Sequence, residues 1–319
     1  MKPPLHASLS NYLALALLVF LSSPALAQLP IHSEAAVQPS AGHFLFREQF
    51  TFGSLGRDPT GFEHEVREYI ATTDITYGLT SHFALHAAIP IMWQSVDSEL
   101  IDHTGGGGGG GHGGHGGGGF PFPFPFPDGG GTDTTAHAVG SDFGLDDITI
   151  GFKWRLYERD LGPIDTFRFA LLGAVETPTG EDAYSSDSWD PIIGGVISYI
   201  QGRNGFNASL QWKFNTGKHP INLHAGMGED NALFYNASYL FRILPAQYGA
   251  GSKTATYLVF EGNGIYETNG DNEVLFSPGI MYETRDLAIE FGVQVPAYQE
   301  IENRPKTNLT MTIGIRFFF

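Results

Sequence analysis

The chain has 319 residues, no cysteine, a formal net charge of −17 and a mean hydropathy of −0.09. A disulfide-stapled scaffold is therefore excluded. The acidic balance lacks the basic footprint of a nucleic-acid-binding protein, and beyond the N-terminal segment no apolar run approaches the roughly 18 residues of a transmembrane helix. Hydrophobic residues nevertheless make up 42% and aromatics 13%, so the apolar material must be interleaved with polar residues.

In chain order, Lys2, an apolar stretch at 12–21 and the sequence Ser22-Ser23-Pro24-Ala25-Leu26-Ala27 predict a secretory signal peptide over 1–27 with an A-x-A cleavage site. Its apolar core is too short to span a bilayer as a helix. The mature chain, 28–319, then shows a repeated alternation of apolar and polar residues. Strand side chains point to opposite faces in turn, and a transmembrane barrel wall reads apolar toward lipid and polar toward the lumen. The pattern predicts an all-β, antiparallel up-and-down barrel of twelve strands, at about 43–52, 66–78, 83–93, 147–156, 166–177, 191–200, 206–215, 233–243, 256–266, 274–282, 287–296 and 307–319. The segments at 147–156, 206–215, 233–243, 287–296 and 307–319 carry it most clearly, with Leu240 an apolar residue out of phase in the third of these. In the first strand Glu48 falls on the face of Phe44, Phe46, Phe50 and Phe52, which reads as a bulge or a misplaced boundary.

The connections alternate in length. Those at 53–65, 94–142, 178–190, 216–230, 267–273 and 297–306 are longer on average than those at 79–82, 158–165, 201–205, 244–255 and 283–286. Outer-membrane barrels have long outer loops, short periplasmic turns and an even strand count, which puts both termini in the periplasm. The turn 244–255 is long for its side. Of the 42 glycines, 16 fall between Gly105 and Gly131, so the bias is local and predicts a disordered Gly-rich outer loop within 94–142 carrying Phe120-Pro121-Phe122-Pro123-Phe124-Pro125-Phe126-Pro127. Trp93 and Trp212 fall near outer strand ends, and Tyr77, Trp154, Tyr282 and Phe317 near periplasmic ends, as two aromatic girdles would require. A soluble β-sandwich shares the alternation but not the long–short rhythm of connections. Localisation in the bacterial outer membrane follows, with membrane lipid, the barrel-assembly machinery and a small-molecule solute as expected partners. The closing Ile313-Gly314-Ile315-Arg316-Phe317-Phe318-Phe319 resembles the terminal signal by which such barrels are recognised for insertion, with Phe319 as its last residue.

The segment Gly144-Leu145-Asp146-Asp147-Ile148-Thr149-Ile150-Gly151-Phe152-Lys153-Trp154-Arg155 resembles a strand of the outer-membrane transporters grouped as the MetA-pathway phenol-degradation family. Tyr77-Gly78-Leu79-Thr80, Thr177-Pro178-Thr179-Gly180 and Ser277-Pro278-Gly279 are similar to its other recurring pieces. The resemblance implies a barrel transporter, and the family name implies hydrophobic aromatic solutes.

By strand parity the inward-facing charges are Arg47, Asp74, His86, Lys153, Arg155, Arg168, Glu176, Lys213, Arg242, Glu261, Glu290 and Arg316. Both signs occur, which suits a narrow hydrated pore with facing charges better than a filter of one sign. The alternatives are a closed structural or adhesive barrel whose lumen charges pair with one another, and an outer-membrane hydrolase. A hydrolase needs a serine, a histidine and an orienting group together on the wall. Ser209 and His86 face inward and lie far apart in sequence, so no enzyme is expected. No cofactor or metal site is expected either: His103, His112, His115 and His137 lie in or beside polyglycine, which loses most entropy on ordering. Glu181, Asp182, Asp187 and Asp190 read as solvated loop charge.

Overall fold

The computed structural model describes residues 29–319 except 57–62, 100–136, 163, 182–183, 218–224 and 249–251. Thirteen strands form one antiparallel sheet: β1 (Phe44–Gly56), β2 (Glu63–Gly78), β3 (Phe83–Glu99), β4 (His137–Leu145), β5 (Thr149–Asp160), β6 (Thr166–Glu176), β7 (Asp190–Gln201), β8 (Asn204–Lys213), β9 (Ala232–Leu244), β10 (Thr254–Glu267), β11 (Asn272–Thr284), β12 (Leu287–Glu300) and β13 (Lys306–Phe318). Each strand pairs with the next in sequence, except that β4 and β5 both pair with β3 and not with each other, and β1 closes on β13. Closure pairs both sides of every strand but β4, and a closed wall is what a sheet needs inside lipid.

The thirteenth strand does not enlarge the barrel. Residues 83–88 of β3 pair with β5, and residues 91–99 pair with β4. β4, residues 146–148 and β5 therefore form a single broken stave, and the barrel has twelve staves. This corrects the expected boundary of the outer loop: strand structure continues on both arms, to Glu99 and from His137. The residues between, 100–136, and the expected signal peptide lie outside the described residues. The pattern hid β4 because His137-Ala138-Val139-Gly140-Ser141-Asp142-Phe143-Gly144-Leu145 contains two glycines and no sustained alternation.

Side-chain exposure follows the alternation. On β8, Phe206 and Leu210 are 48% and 54% exposed, whereas Asn207, Ser209 and Lys213 are buried. On β5, Ile150, Phe152 and Trp154 are all exposed. An apolar band of this extent cannot face water, so the outer surface faces lipid and the chain is an outer-membrane barrel. Glu48 stays on that surface without any bulge: β1 pairs regularly through it on both sides, its register shift comes only between Ser54 and Leu55, and its carboxylate accepts a hydrogen bond from the Thr73 hydroxyl at 2.7 Å. A local hydrogen bond, not a break in the ladder, accommodates the acid.

The C-terminal residue completes the wall. Phe319 N–H donates to Phe44 O at 3.0 Å and Phe44 N–H donates to Phe319 O at 3.1 Å, while the Phe319 ring is exposed and stacks on Phe317. Deleting Phe319 removes both seam bonds and the terminal ring. The expected result is reduced membrane insertion, read as loss of the heat-modifiable folded band. Normal insertion of the truncated chain would refute a role for Phe319 in assembly.

Candidate functional site

Residues 29–41 precede β1, carry no regular secondary structure, and cross the barrel interior. Ile31 is 2% exposed and packs on Leu240, Ala255, Tyr257, Val259, Met281 and Ala288, all on interior faces of β9 to β12. Ala36 packs on Ala170, Leu172 and Val196 of β6 and β7. The out-of-phase Leu240 is thus explained: the lumen turns apolar where this segment docks. Two wall glycines give it room. A Cβ on Gly279 would stand 2.5 Å from the Ile31 side chain, and one on Gly292 would stand 2.7 Å from the His32 ring. Full burial of Ile31 stabilises the docked state by about 1.5–3 kcal/mol.

Polar contacts fix the rest of the segment. Glu261 accepts from Ile31 N–H at 2.5 Å, His32 N–H at 2.8 Å and Ser33 Oγ at 3.0 Å. Asn263 Nδ2 donates to Ser33 Oγ at 3.2 Å. Lys153 Nζ donates to Glu34 at 2.9 Å and to Ala35 O at 2.7 Å. Ala36 N–H donates to Ser198 Oγ at 2.8 Å. Arg316 donates to Leu29 O at 3.0 Å and Pro30 O at 2.6 Å, and Arg47 donates to Ile31 O. The same two arginines share Glu290, which bonds Arg47 Nε at 2.8 Å and forms an ion pair with Arg316. Two guanidiniums face one carboxylate there, and carbonyls of the crossing segment accept from both, while Arg316 Nε has no acceptor among the described residues.

The other charges picked out by parity fall into separate groups. Asp74 and His86 are 2.9 Å apart on β2 and β3. Lys213 and Glu176 pair at 2.6 Å toward the outer end. Near the periplasmic end Arg155 and Arg168 share Glu158, at 3.2 and 2.9 Å. Arg242 donates to Pro245 O at 3.2 Å and lies 3.8 Å from the centre of the Tyr248 ring, whose hydroxyl meets that of interior Tyr257 at 2.9 Å. Residues 245–248, the start of the unexpectedly long turn after β9, therefore fold back into the periplasmic mouth. Ser209 accepts from Asn236 at 3.3 Å and has no contact with His86. Missing from the sequence reading was the crossing segment itself; its only signal was the set of apolar residues at inward positions.

At the outer end the wall is held by acids. Where the broken stave leaves β4 without a partner toward β6, residues 177–181 and 184–186 gather around Asp147. Its carboxylate accepts from Thr179 N–H at 3.0 Å, Gly180 N–H at 2.8 Å, Ser185 Oγ at 2.9 Å and Ser186 N–H at 2.6 Å. Asp190, expected as solvated, is 1% exposed and accepts from Ser188 Oγ at 2.8 Å and Thr216 N–H at 2.8 Å. It acts as a loop anchor because two loops need their donors satisfied at one point. Asp182 lies outside the described residues. Arg304, fully buried, joins Glu267 at 2.8 Å and Glu273 at 3.3 Å.

Burial pushes the Asp147 carboxyl up, but the Ser186 and Gly180 N–H groups and the serine hydroxyls outweigh it and hold it below the usual carboxylate range. A lowered folded-state value means that the clamp's contribution is fully present above about pH 4, the ordinary carboxylate range, and is lost as pH falls through the folded-state value. Hydrogen exchange of residues 177–181 and 184–186, taken relative to the intrinsic amide rate at each pH, is expected to stay slow at neutral pH and to accelerate on acidification. In Asp147→Ala it should be fast at every pH, since several buried donors lose their acceptor at roughly 1–3 kcal/mol each. Unchanged protection in that variant would show that the clamp does not hold the loop.

Comparisons with known proteins agree with this architecture. The model of the family described as "Putative MetA-pathway of phenol degradation" matches residues 60–311. The COG4313 outer membrane channel from Pseudomonas putida F1 is similar in fold, at 12% identity and a TM-score of 0.54, with 92% of this chain and 100% of that chain covered. The CymD monoaromatic hydrocarbon channel matches at 9% identity and a TM-score of 0.39, covering 88% of this chain and 89% of that chain. No curated protein matches the chain.

Proposed function

From a chain that belongs to the family described as "Putative MetA-pathway of phenol degradation", and whose lumen is crossed by its own N-terminal segment, we propose an outer-membrane channel for small solutes that is closed when residues 29–41 are docked and conducts when they move aside. The observation that carries this reading is the way the segment is held. It joins no strand ladder; it rests on two small apolar footholds and on side-chain contacts from Glu261, Lys153, Arg47, Arg316 and Ser198. Such contacts can be exchanged for water one at a time, whereas loss of a wall strand would open the barrel to lipid. The inward charges, Arg47, Asp74, His86, Lys153, Arg155, Arg168, Glu176, Lys213, Arg242, Glu261, Glu290 and Arg316, then line the route and set its selectivity.

The family description makes small aromatic compounds the first solutes to test. Single-channel recording of the refolded protein, with and without such compounds, tests the reading: brief openings that lengthen with solute support it. A second reading, a closed structural barrel, draws on the satisfied ion pairs of the interior. It predicts silent bilayers for the wild type and also for variants such as Glu261→Ala, which would lose stability without gaining conductance.

A further inference from the structure

On the lipid-facing surface a trough of about 480 Å³ lies across β7 to β11. Its floor is a row of register partners: Ala208 on β8 opposite Ala237 on β9, and Ala237 opposite Gly262 on β10. Elsewhere the same face carries large side chains, such as Phe206, Leu210, Phe260 and Phe276, all exposed. At Gly262 a Cβ would meet nothing within 4 Å, so the space above the floor is open.

Two tyrosines keep it open. Tyr235 and Tyr239 flank Ala237 on the same face of β9. The Tyr235 hydroxyl donates to Asn272 at 2.7 Å, and the Tyr239 hydroxyl donates to Asn204 at 2.7 Å. Asn272 begins β11 at the outer end and Asn204 begins β8 at the periplasmic end. The rings are therefore drawn in opposite directions, away from Ala237. Phe206 packs on Tyr239 at 4.8 Å, and Phe260 stacks on Phe276 at 6.5 Å, which completes the sides.

Beneath the trough, in the turn between β7 and β8, stands Arg203. It donates to Arg242 O at 2.7 Å and Ile243 O at 3.1 Å, and its guanidinium lies 4.6 Å from the centre of the Phe241 ring. No carboxylate pairs with it among the described residues. Arg203 is five steps before Ala208 in the chain; at about 3.3 Å per step on a strand tilted by about 40°, this places it about 13 Å below the floor of the trough. That is the separation of a lipid phosphate from the middle of its acyl chain.

We propose that the trough and Arg203 together bind one phospholipid of the periplasmic leaflet with an anionic headgroup. The phosphate meets Arg203, as cationic side chains at the membrane surface meet acidic lipids. One acyl chain rises past Phe206 and Tyr239 and lies over Ala208, Ala237 and Gly262. Rings from a second barrel could fill the trough, but an acyl chain joined to a phosphate matches both the trough and Arg203.

Native mass spectrometry of the full folded barrel, with phosphatidylglycerol or phosphatidylcholine added, tests this. The wild type is expected to retain phosphatidylglycerol several-fold better than phosphatidylcholine. Arg203→Gln should abolish that preference. Ala237→Phe, which fills the trough, should lower retention of both lipids several-fold, while Ile193→Phe on the same wall outside the trough should not. Heat-modifiable mobility confirms that each variant is folded, and Gly262→Leu replaces Ala237→Phe if the latter does not insert. Equal retention of the two lipids by the wild type, unchanged retention in the filled-trough variant, or a wild-type dimer that Ala237→Phe dissociates would overturn the proposal, the last in favour of a second copy.

Discussion

Deleting residues 29–38 is expected to convert a mostly closed barrel into one with steady conductance well above the wild type. The deletion stops short of Ser40, whose carbonyl packs against Gly78 at the periplasmic rim, so the base of the wall is left intact. It removes the Ile31 and Ala36 footholds and the backbone partners of Arg47, Arg316 and Glu261. Lys153 also loses Glu34, its carboxylate partner, which should move ion preference toward anions. Planar-bilayer recordings at several salt concentrations read both effects. If the shortened chain, shown to be folded by its gel mobility, conducts no better than the wild type, then the segment is not what closes the lumen.

The second large effect is expected at Glu290. It is 1% exposed and is the carboxylate shared by Arg47 and Arg316. Glu290→Ala leaves two guanidiniums in the interior with carbonyls only. Removing one partner of a buried pair costs about 3–5 kcal/mol, far more than the pair itself contributes relative to apolar replacements. The loss should appear as a lower denaturant midpoint for the folded barrel, and as more frequent openings, because the arginines that grip residues 29–31 are the ones freed. Glu290→Gln keeps the shape and should fall between. A midpoint equal to that of the wild type would mean that water enters and screens these charges, and that the cluster does not fix the segment.

Most of the wall could be read from the chain, because period-two alternation is a local property. Segments such as 206–215 and 287–296 show it in full, and the structure has strands at Asn204–Lys213 and Leu287–Glu300. Where two glycines interrupt the alternation, as in β4, the reading stopped, and the broken stave at 146–148 went unseen. Partners across the lumen were less legible. Parity places Lys153 on an interior face but cannot say that its partner is Glu34, more than one hundred residues earlier. The crossing segment was missed for a physical reason: residues 29–41 have no period, because each side chain answers a different part of the surrounding wall. What the chain did show was the imprint on that wall, Leu240, Val259, Met281 and Ala288 pointing inward where polar residues belong. Asp190 was misread for a related reason: a loop acid looks solvated until the donors of Ser188 and Thr216 are known to converge on it.

The absence of native cysteine allows the gating claim to be tested directly. Ser33 Oγ and Asn263 Nδ2 are 3.2 Å apart, one on the crossing segment and the other on β10. In the double variant Ser33→Cys, Asn263→Cys, oxidation ties the segment to the wall and reduction releases it. Recorded on one bilayer, the oxidised barrel should stay closed, and addition of a reductant should restore openings at the wild-type level. Bilayers that conduct equally before and after reduction, with the disulfide verified by mass, would contradict the account.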